Sequence, residues 1–202
     1  MTKKTFLTLS IIVLFTSCGT RNVDTFDEGV VINGIRWATR NVDMPGTFAE
    51  SPESFGMFFQ WNRKKAWNAI DEKVEDWDNS RPTGTKWYVE NDPCPKGWRV
   101  PTESELRSLK NTGSAWATKN GVDGRFFGSY PYRIFLPAAG WRSTLGVLNA
   151  GSVLRGPNDN FGTYRSSTAS YPGAMILSFG GTFSSVGNVG RANGGSVRCV
   201  AE

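Results

Sequence analysis

Asn91–Leu106 reads NDPCPKGWRVPTESEL, and it sets a cysteine between two prolines just ahead of the strongest helix start in the chain. Pro101 precedes Thr102, whose hydroxyl suits an N-cap, and Glu105 stands three residues on to complete a capping box. Leu106 and Leu109 supply the buried stripe, and Asn111 and Gly113 a stop, so a helix is predicted over Thr102–Lys110.

Working outward, the neighbouring segments read mainly as strands and turns. Upstream, Trp87 and Tyr88 begin a short extended piece, and DNSRPTG (Asp78–Gly84) is a loop. Trp67, Ile70 and Val74 recur at three- and four-residue spacing among charges, which predicts a second, short surface helix. FGMFFQW (Phe55–Trp61) is strand-like. Val30, Val31, Ile32, Ile35 and Trp37 surround an Asn33-Gly34 step, the signature of an opening β-hairpin. Downstream, Tyr132–Leu136, Gly162–Ser167, Ala174–Phe179 and Ser196–Val200 read as strands, with no interval periodic enough for a helix and no long repeat. The sum is an α+β domain with most of its second half in strands and loops.

The 202 residues allow one core. They include no histidine, which excludes Ser-His-Asp and Cys-His nucleophile systems, imidazole zinc sites and neutral-pH proton shuttles. Lys3 and Lys4, the apolar run FLTLSIIVLF (Phe6–Phe15), and Thr16 and Ser17 read as a signal peptide over 1–17. Its apolar run spans only about 15 Å as a helix, too short for an anchor. LFTSC resembles a bacterial lipobox, with Phe15 where leucine is commoner, so Cys18 is the expected lipidation site. Residues 18–29 then form a lipidated N-terminus and linker, and 30–202 the domain. The leader's removal takes two lysines and no acid, which reduces the net charge from +5 to +3. No cluster of basic residues interleaved with aromatics suggests nucleic acid, because Arg63, Lys64 and Lys65 are answered by Asp71, Glu72, Glu75, Asp76 and Asp78. With Cys18 taken by lipid, Cys94 and Cys199 leave one pairing in an oxidising compartment. Its loop of about a hundred residues would contribute about 4–5 kcal/mol on the chain-entropy argument. Two buried free thiols are the alternative.

Composition changes near residue 140. Lys119 is the last lysine, and from Trp141 onward the charges are Arg142, Arg155, Asp159, Arg165, Arg191, Arg198 and Glu202 amid Gly, Ser, Asn and Thr. Short polar residues with occasional aromatics are what paratopes use, although a loop-rich sandwich would need the same composition for its turns.

Five fixed words carry a resemblance: GIRWATRNVD (Gly34–Asp43), NDPCPKGWRVPTESEL, FLPAAGWR (Phe135–Arg142), YRSST (Tyr164–Thr168) and RANGGSVRCV (Arg191–Val200). Together, from about residue 30 to the end, they resemble the Fibrobacter succinogenes major paralogous domain, a family of exported proteins with a C-type-lectin-like fold. The resemblance implies a single α+β, C-type-lectin-like domain with Cys94 and Cys199 in the family's cysteine positions. It also implies a target of a diversity-generating retroelement, in which copying rewrites codons near the 3′ end and a fixed scaffold displays the altered side chains over about 141–200. Between the fixed words, the positions expected to face a ligand are Ser143, Thr144, Leu145, Val147, Asn149, Asp159, Phe161, Thr163, Arg165, Ala169, Tyr171, Gly173, Met175, Ser178 and Thr182. Arg165 stands where the family more often has tryptophan and Gly195 where it often has an aromatic. Phe161 and Tyr171 would act as aromatic anchors, and Arg165 would pair with a carboxylate of the partner.

The expectation is an exported, lipid-anchored, non-enzymatic protein of the cell envelope, on the surface of the outer membrane. It binds an external protein or glycan with no cofactor and no metal. A calcium lectin is the nearest rival, but the E-P-N or Q-P-D loop is missing, and Asn158 and Asp159 read as a turn. A glycosidase would need a carboxylate pair, and Glu50 with Glu53 or Asp76 with Asp78 has nothing to separate it from surface charge. The paired reactive cysteines of a formylglycine-generating enzyme are not expected, since Cys94 and Cys199 look structural. A non-diversified adhesion or structural subunit, or a lectin working without calcium, are the other readings.

Overall fold

The computed structural model describes residues 25–150 and 160–202. Cys18 and the leader, together with Asn158 and Asp159, lie outside these residues. In chain order the strands are β1 (Val30–Ile32), β2 (Ile35–Trp37), β3 (Phe58–Gln60), β4 (Ala66–Trp67) and β5 (Trp98–Arg99). The helix α1 (Glu103–Asn111) follows, then β6 (Ser114–Lys119), β7 (Val122–Ser129), β8 (Tyr132–Pro137), β9 (Trp141–Arg142) and β10 (Leu148–Asn149). The chain ends with β11 (Phe161–Ser170), β12 (Gly173–Gly180), β13 (Ser184–Val189), β14 (Gly194–Gly195) and β15 (Val200–Ala201). They form four antiparallel sheets, ordered β1-β2-β15-β5, β10-β9-β14-β3-β4, β6-β7-β8 and β11-β12-β13.

This overturns the α+β expectation: over the described residues the chain is mostly β, with 43% strand and 7% helix. The predicted helix through Trp67, Ile70 and Val74 is absent. Arg142 is fully buried and donates to the carbonyls of Asn68, Asp71 and Glu72, which a helix would need for its own ladder. The Asn68 carboxamide oxygen accepts from Ile70 N and Asp71 N, closing a turn instead, and leaves Ile70 three-quarters exposed. The strand read over Ser196–Val200 shortens to β15 and a parallel bridge between Tyr164 and Ser196.

Local chemistry explains the elements that do form. At the β1–β2 turn Asn33 (φ 50°) and Gly34 (φ 77°) take the left-handed region that such a hairpin requires. A second Asn-Gly step, Asn120 (φ 50°) and Gly121 (φ 80°), joins β6 and β7. Helix α1 starts at Thr102 with the expected capping box, and Glu105 is further held by Arg99 at 2.6 Å. Asp27, inside the segment read as linker, is buried and accepts from Gly29 N, Thr39 N and the Thr39 hydroxyl.

Leu106 and Leu109 pack α1 on Phe127, Ile134, Leu177 and Phe179, while Trp61, Trp87, Val100 and Val197 fill a second core around Cys199. Cys94 and Cys199 are disulfide-bonded, with Cα atoms 6.1 Å apart. Phe58, Trp67 and Ala139 form a third cluster, against which Trp77 packs.

Candidate functional site

Irregular chain in a folded interior leaves carbonyl oxygens that no ladder satisfies, and an arginine offers five N–H donors to meet them. The C-terminal half uses this device repeatedly. Arg165, with no solvent exposure, donates to the carbonyls of Gly190 and Asn193. Arg198 donates to Ala38 O and Phe135 O and to the side chain of Asn41. Arg142 also holds Gly146 O at 2.8 Å. Arg125 reaches Gly180 O and Phe183 O at the β12–β13 turn. Arg191 donates through Nε to Gly173 O and through Nη1 to Pro82 O and Gly84 O, with its guanidinium 4.2 Å from the Trp61 ring centroid. Among the described residues none of these arginines forms an ion pair. Burial pushes the Arg165 guanidinium down to about 9 and lowers Arg142 and Arg198 as well.

Against this frame the expected ligand-facing positions separate. Four are corrected to interior. Arg165 is the clearest: it is fully buried and its Nη donors serve backbone, so it offers no fork to a partner's carboxylate. Thr163 is buried, and its carbonyl accepts from Ser196 N. Met175 is buried on β12, which is paired on both edges. At Gly173 a Cβ would lie 2.0 Å from Asn188 Oδ1 and 2.3 Å from Val189 O, so no larger residue fits. Asp159 lies outside the described residues.

The remaining positions form three groups. Thr144, Leu145 and Val147 are exposed, and Ser143 and Asn149 half-buried, on the turn between β9 and β10. That turn is held by Ser143 N donating to Val147 O and by the Ser143 hydroxyl accepting from Leu145 N. Gly146 (φ 75°) sits against Trp77, where a Cβ would come within 2.9 Å. Ala169 and Tyr171 mark the β11–β12 tip. Phe161 and Ser178, both half-buried, and exposed Thr182 lie toward the opposite end of that hairpin, where Phe161 pairs with Gly180. The rise of β11 puts Phe161 on the order of 30 Å from Tyr171, so the two expected anchors do not share a site.

Of these three groups, the β11–β12 tip joins a concave feature. Pairing shifts register between Arg165 and Ala169, where Thr168 instead bridges Lys86 and its hydroxyl caps Glu103 N of α1. Beyond this irregularity Tyr171 stands 84% exposed, and Asn188 donates to Ser170 O. Facing it is the chain from Arg81 to Thr85, anchored by Arg191 and by Asn62 Nδ2 donating to Thr83 O. Gly84 takes a positive φ of 109°, which L side chains rarely adopt, and a Cβ there would come within 3.1 Å of the Asn62 and Tyr88 side chains. The result is a groove of about 710 Å³ between Arg81–Thr85 on one side and Ala169, Tyr171 and Arg191 on the other. The Arg81 guanidinium lies 4.6 Å from the Tyr171 ring centroid. Burial, and then the nearby Arg81 charge, lower the pKa of Arg191.

Sequence reasoning misses Arg81, the Pro82–Thr85 wall, Arg191 and Trp77. Asp78–Gly84 is legible as a loop, but nothing local tells that it faces a hairpin ninety residues away. No family model, no curated protein and no solved structure matches the chain. Among the described residues no group of His, Cys, Asp or Glu is placed to hold a metal ion, and no helix is long and apolar enough to cross a membrane.

Proposed function

We propose that the chain is an exported, lipid-anchored protein of the cell envelope that binds an external partner non-covalently, through exposed positions set on a rigid C-terminal frame. The observation that carries this reading is Tyr171. A large aromatic side chain is 84% exposed at the tip of a hairpin whose strands are largely buried, and it borders a groove. An aromatic ring with few rotatable bonds, presented on fixed backbone, gives contact area at low entropic cost. Leu145 and Val147, exposed on the β9–β10 turn, offer a second set of contacts. Both groups abut the 68–85 segment, the β9–β10 turn through Lys73 and Trp77 and the hairpin tip through Arg81.

Diversification by mutagenic copying belongs to the same proposal, restricted by what the frame tolerates. Ser143, Thr144, Leu145, Val147, Asn149, Tyr171 and Thr182 can change without emptying the core, with Phe161, Ser178 and Ala169, which packs against the second core, allowed smaller changes. The test is deep sequencing of the 3′ part of the gene across a population grown from one cell, together with a search of the neighbouring DNA for a template repeat. Substitutions concentrated at those positions and absent at Thr163, Arg165, Gly173 and Met175 are expected. An even scatter with no repeat would overturn diversification and leave a fixed adhesion subunit.

A further inference from the structure

The groove beside Tyr171 has two kinds of wall. Ala169 and Tyr171 stand at the tip that the proposed function treats as changeable, whereas Arg81, Pro82–Thr85 and Arg191 lie outside every position assigned to variation. The fixed wall is cationic. Arg191 has its Nε and Nη1 engaged with backbone carbonyls, and its Nη2 makes no hydrogen bond among the described residues. Arg81 is exposed, and its contact is the Tyr171 ring face; among the described residues it makes neither a hydrogen bond nor an ion pair. No acidic residue lines the groove. Two guanidinium groups that repel each other across one concave site are a standing electrostatic cost, which a carboxylate between them removes.

We infer that Arg81 and Arg191 form a constant carboxylate-binding element, which takes an acidic side chain of a protein partner while the neighbouring tip residues set which partner is chosen. This rests on the binding role proposed above. The occupant is an acidic protein segment because of what else lines the groove. A sugar presents many hydroxyl donors and calls for strong acceptors, carboxylates and carboxamides, to take them; none lines the groove, whose polar side-chain groups beside the two cations are the hydroxyls of Thr83, Thr85 and Tyr171. Tyrosine and arginine, by contrast, are among the side chains that dominate protein–protein anchor points. The guanidinium of Arg81 is free to meet a carboxylate with its two-pronged edge, and Nη2 of Arg191 meets it from the wall.

The division of labour is testable with the purified full chain and three fluorescent probes. These are a peptide of alternating Glu and Gly, its Gln and Gly counterpart, and an oligogalacturonate, each titrated at low and high salt. The Glu peptide should bind at least about tenfold more tightly than the Gln peptide, with the difference shrinking in high salt. Arg81→Ala should abolish that discrimination with an unchanged melting temperature, and Arg81→Lys should restore part of it. Tyr171→Ala should weaken both peptides and keep the preference for Glu. Lys96→Ala, an exposed cation outside this groove, should behave as the parent chain. Equal binding of the two peptides, or discrimination that survives Arg81→Ala, would overturn the inference, as would an oligogalacturonate bound more tightly than the Glu peptide. A gene that does not vary, with Glu preference lost in Arg81→Ala, would retire diversification and keep the carboxylate element. A varying gene with no Glu preference would do the reverse.

Discussion

Two stretches of one hairpin, Thr163–Ser166 and Ala169–Pro172, each carry a Ser and a Tyr among small or polar neighbours, yet the first is interior and the second runs from half-buried to exposed. In the first, Tyr164 is fully buried, donates to Pro137 O, and has its hydroxyl pushed up to about 12 by burial; Arg165 beside it is sealed among backbone carbonyls. In the second, Tyr171 is exposed, and the backbone on either side of it is held by Asn188 of β13 donating to Ser170 O and by Arg191 donating to Gly173 O. Residue type does not separate these fates. What separates them is whether the 190–196 segment lies alongside: Arg165 N donates to Ser196 O and Ser196 N to Thr163 O, and that pairing ends before Ala169. A recognition surface can therefore be built on the same strand as the core, provided a register shift marks the border.

The frame side of this comparison carries the largest expected effects. Removing the disulfide with Cys94→Ser and Cys199→Ser should lower unfolding free energy by about 4 kcal/mol, because the bond closes a loop with a sequence separation of 105. Chemical denaturation of the oxidised and doubly substituted chains measures it. Arg165→Ala comes next, at about 3 kcal/mol, since it takes the donor from the carbonyl of buried Asn193 and opens a cavity where a fully buried side chain stood. Arg165→Met, which keeps the volume and removes an unpaired buried charge, should destabilise clearly less. If Arg165→Ala proves as mild as a change at Tyr171, the border drawn through β11 is wrong.

How far this is legible in the sequence depends on the range of the forces involved. The Asn33-Gly34 hairpin and the Thr102–Glu105 box can be read because donor, acceptor and backbone conformation are fixed within a few residues. The same Asn-Gly signal at 120–121 is masked, because β7 breaks its alternation with Gly124, needed where a Cβ would strike Leu136 O and the Phe135 ring. The failed helix at 67–74 has the right period, but its carbonyls are claimed by Arg142 from seventy residues downstream. Arg165, Arg191 and Arg198 are visible as unpaired charges in a neutral stretch. Their partners are mainly backbone oxygens, which no side-chain pattern reveals, so Arg165 reads as facing outward when it does not. Half of the groove is legible for the same reason: its tip residues stand between fixed words, whereas Arg81 and its wall are brought there only by the tertiary fold.

A smaller effect sharpens the frame at α1. Glu105→Gln should cost about 1 kcal/mol, as the capping box and the Arg99 pair are weakened together. Burial raises the Glu105 pKa, but the Arg99 guanidinium and the Thr102 N–H and hydroxyl outweigh it and hold the carboxyl below its ordinary value of 4.5. The folded-state value is thus depressed, so this contribution is present above pH 4.5 and disappears as pH falls through the lowered value. The acid limb of the parent's stability curve should be steeper below that point than that of Glu105→Gln.

Tyr171→Ala should change stability least of all, within about 0.5 kcal/mol, because little of its side chain leaves water on folding. The substitution removes the Arg81 stack, an interaction worth about 0.5–1 kcal/mol at an exposed site and offset by rehydration of both groups. The small number is informative because Tyr164, the same residue type seven positions earlier, is buried and hydrogen-bonded at both Pro137 and Asn41. Tyr164→Ala should cost about 3–5 kcal/mol by the usual cavity penalty. Thermal melts of the two variants side by side compare the same deletion on the two sides of the border. Comparable destabilisation would mean that Tyr171 supports the fold, and would leave the groove without an anchor for any partner.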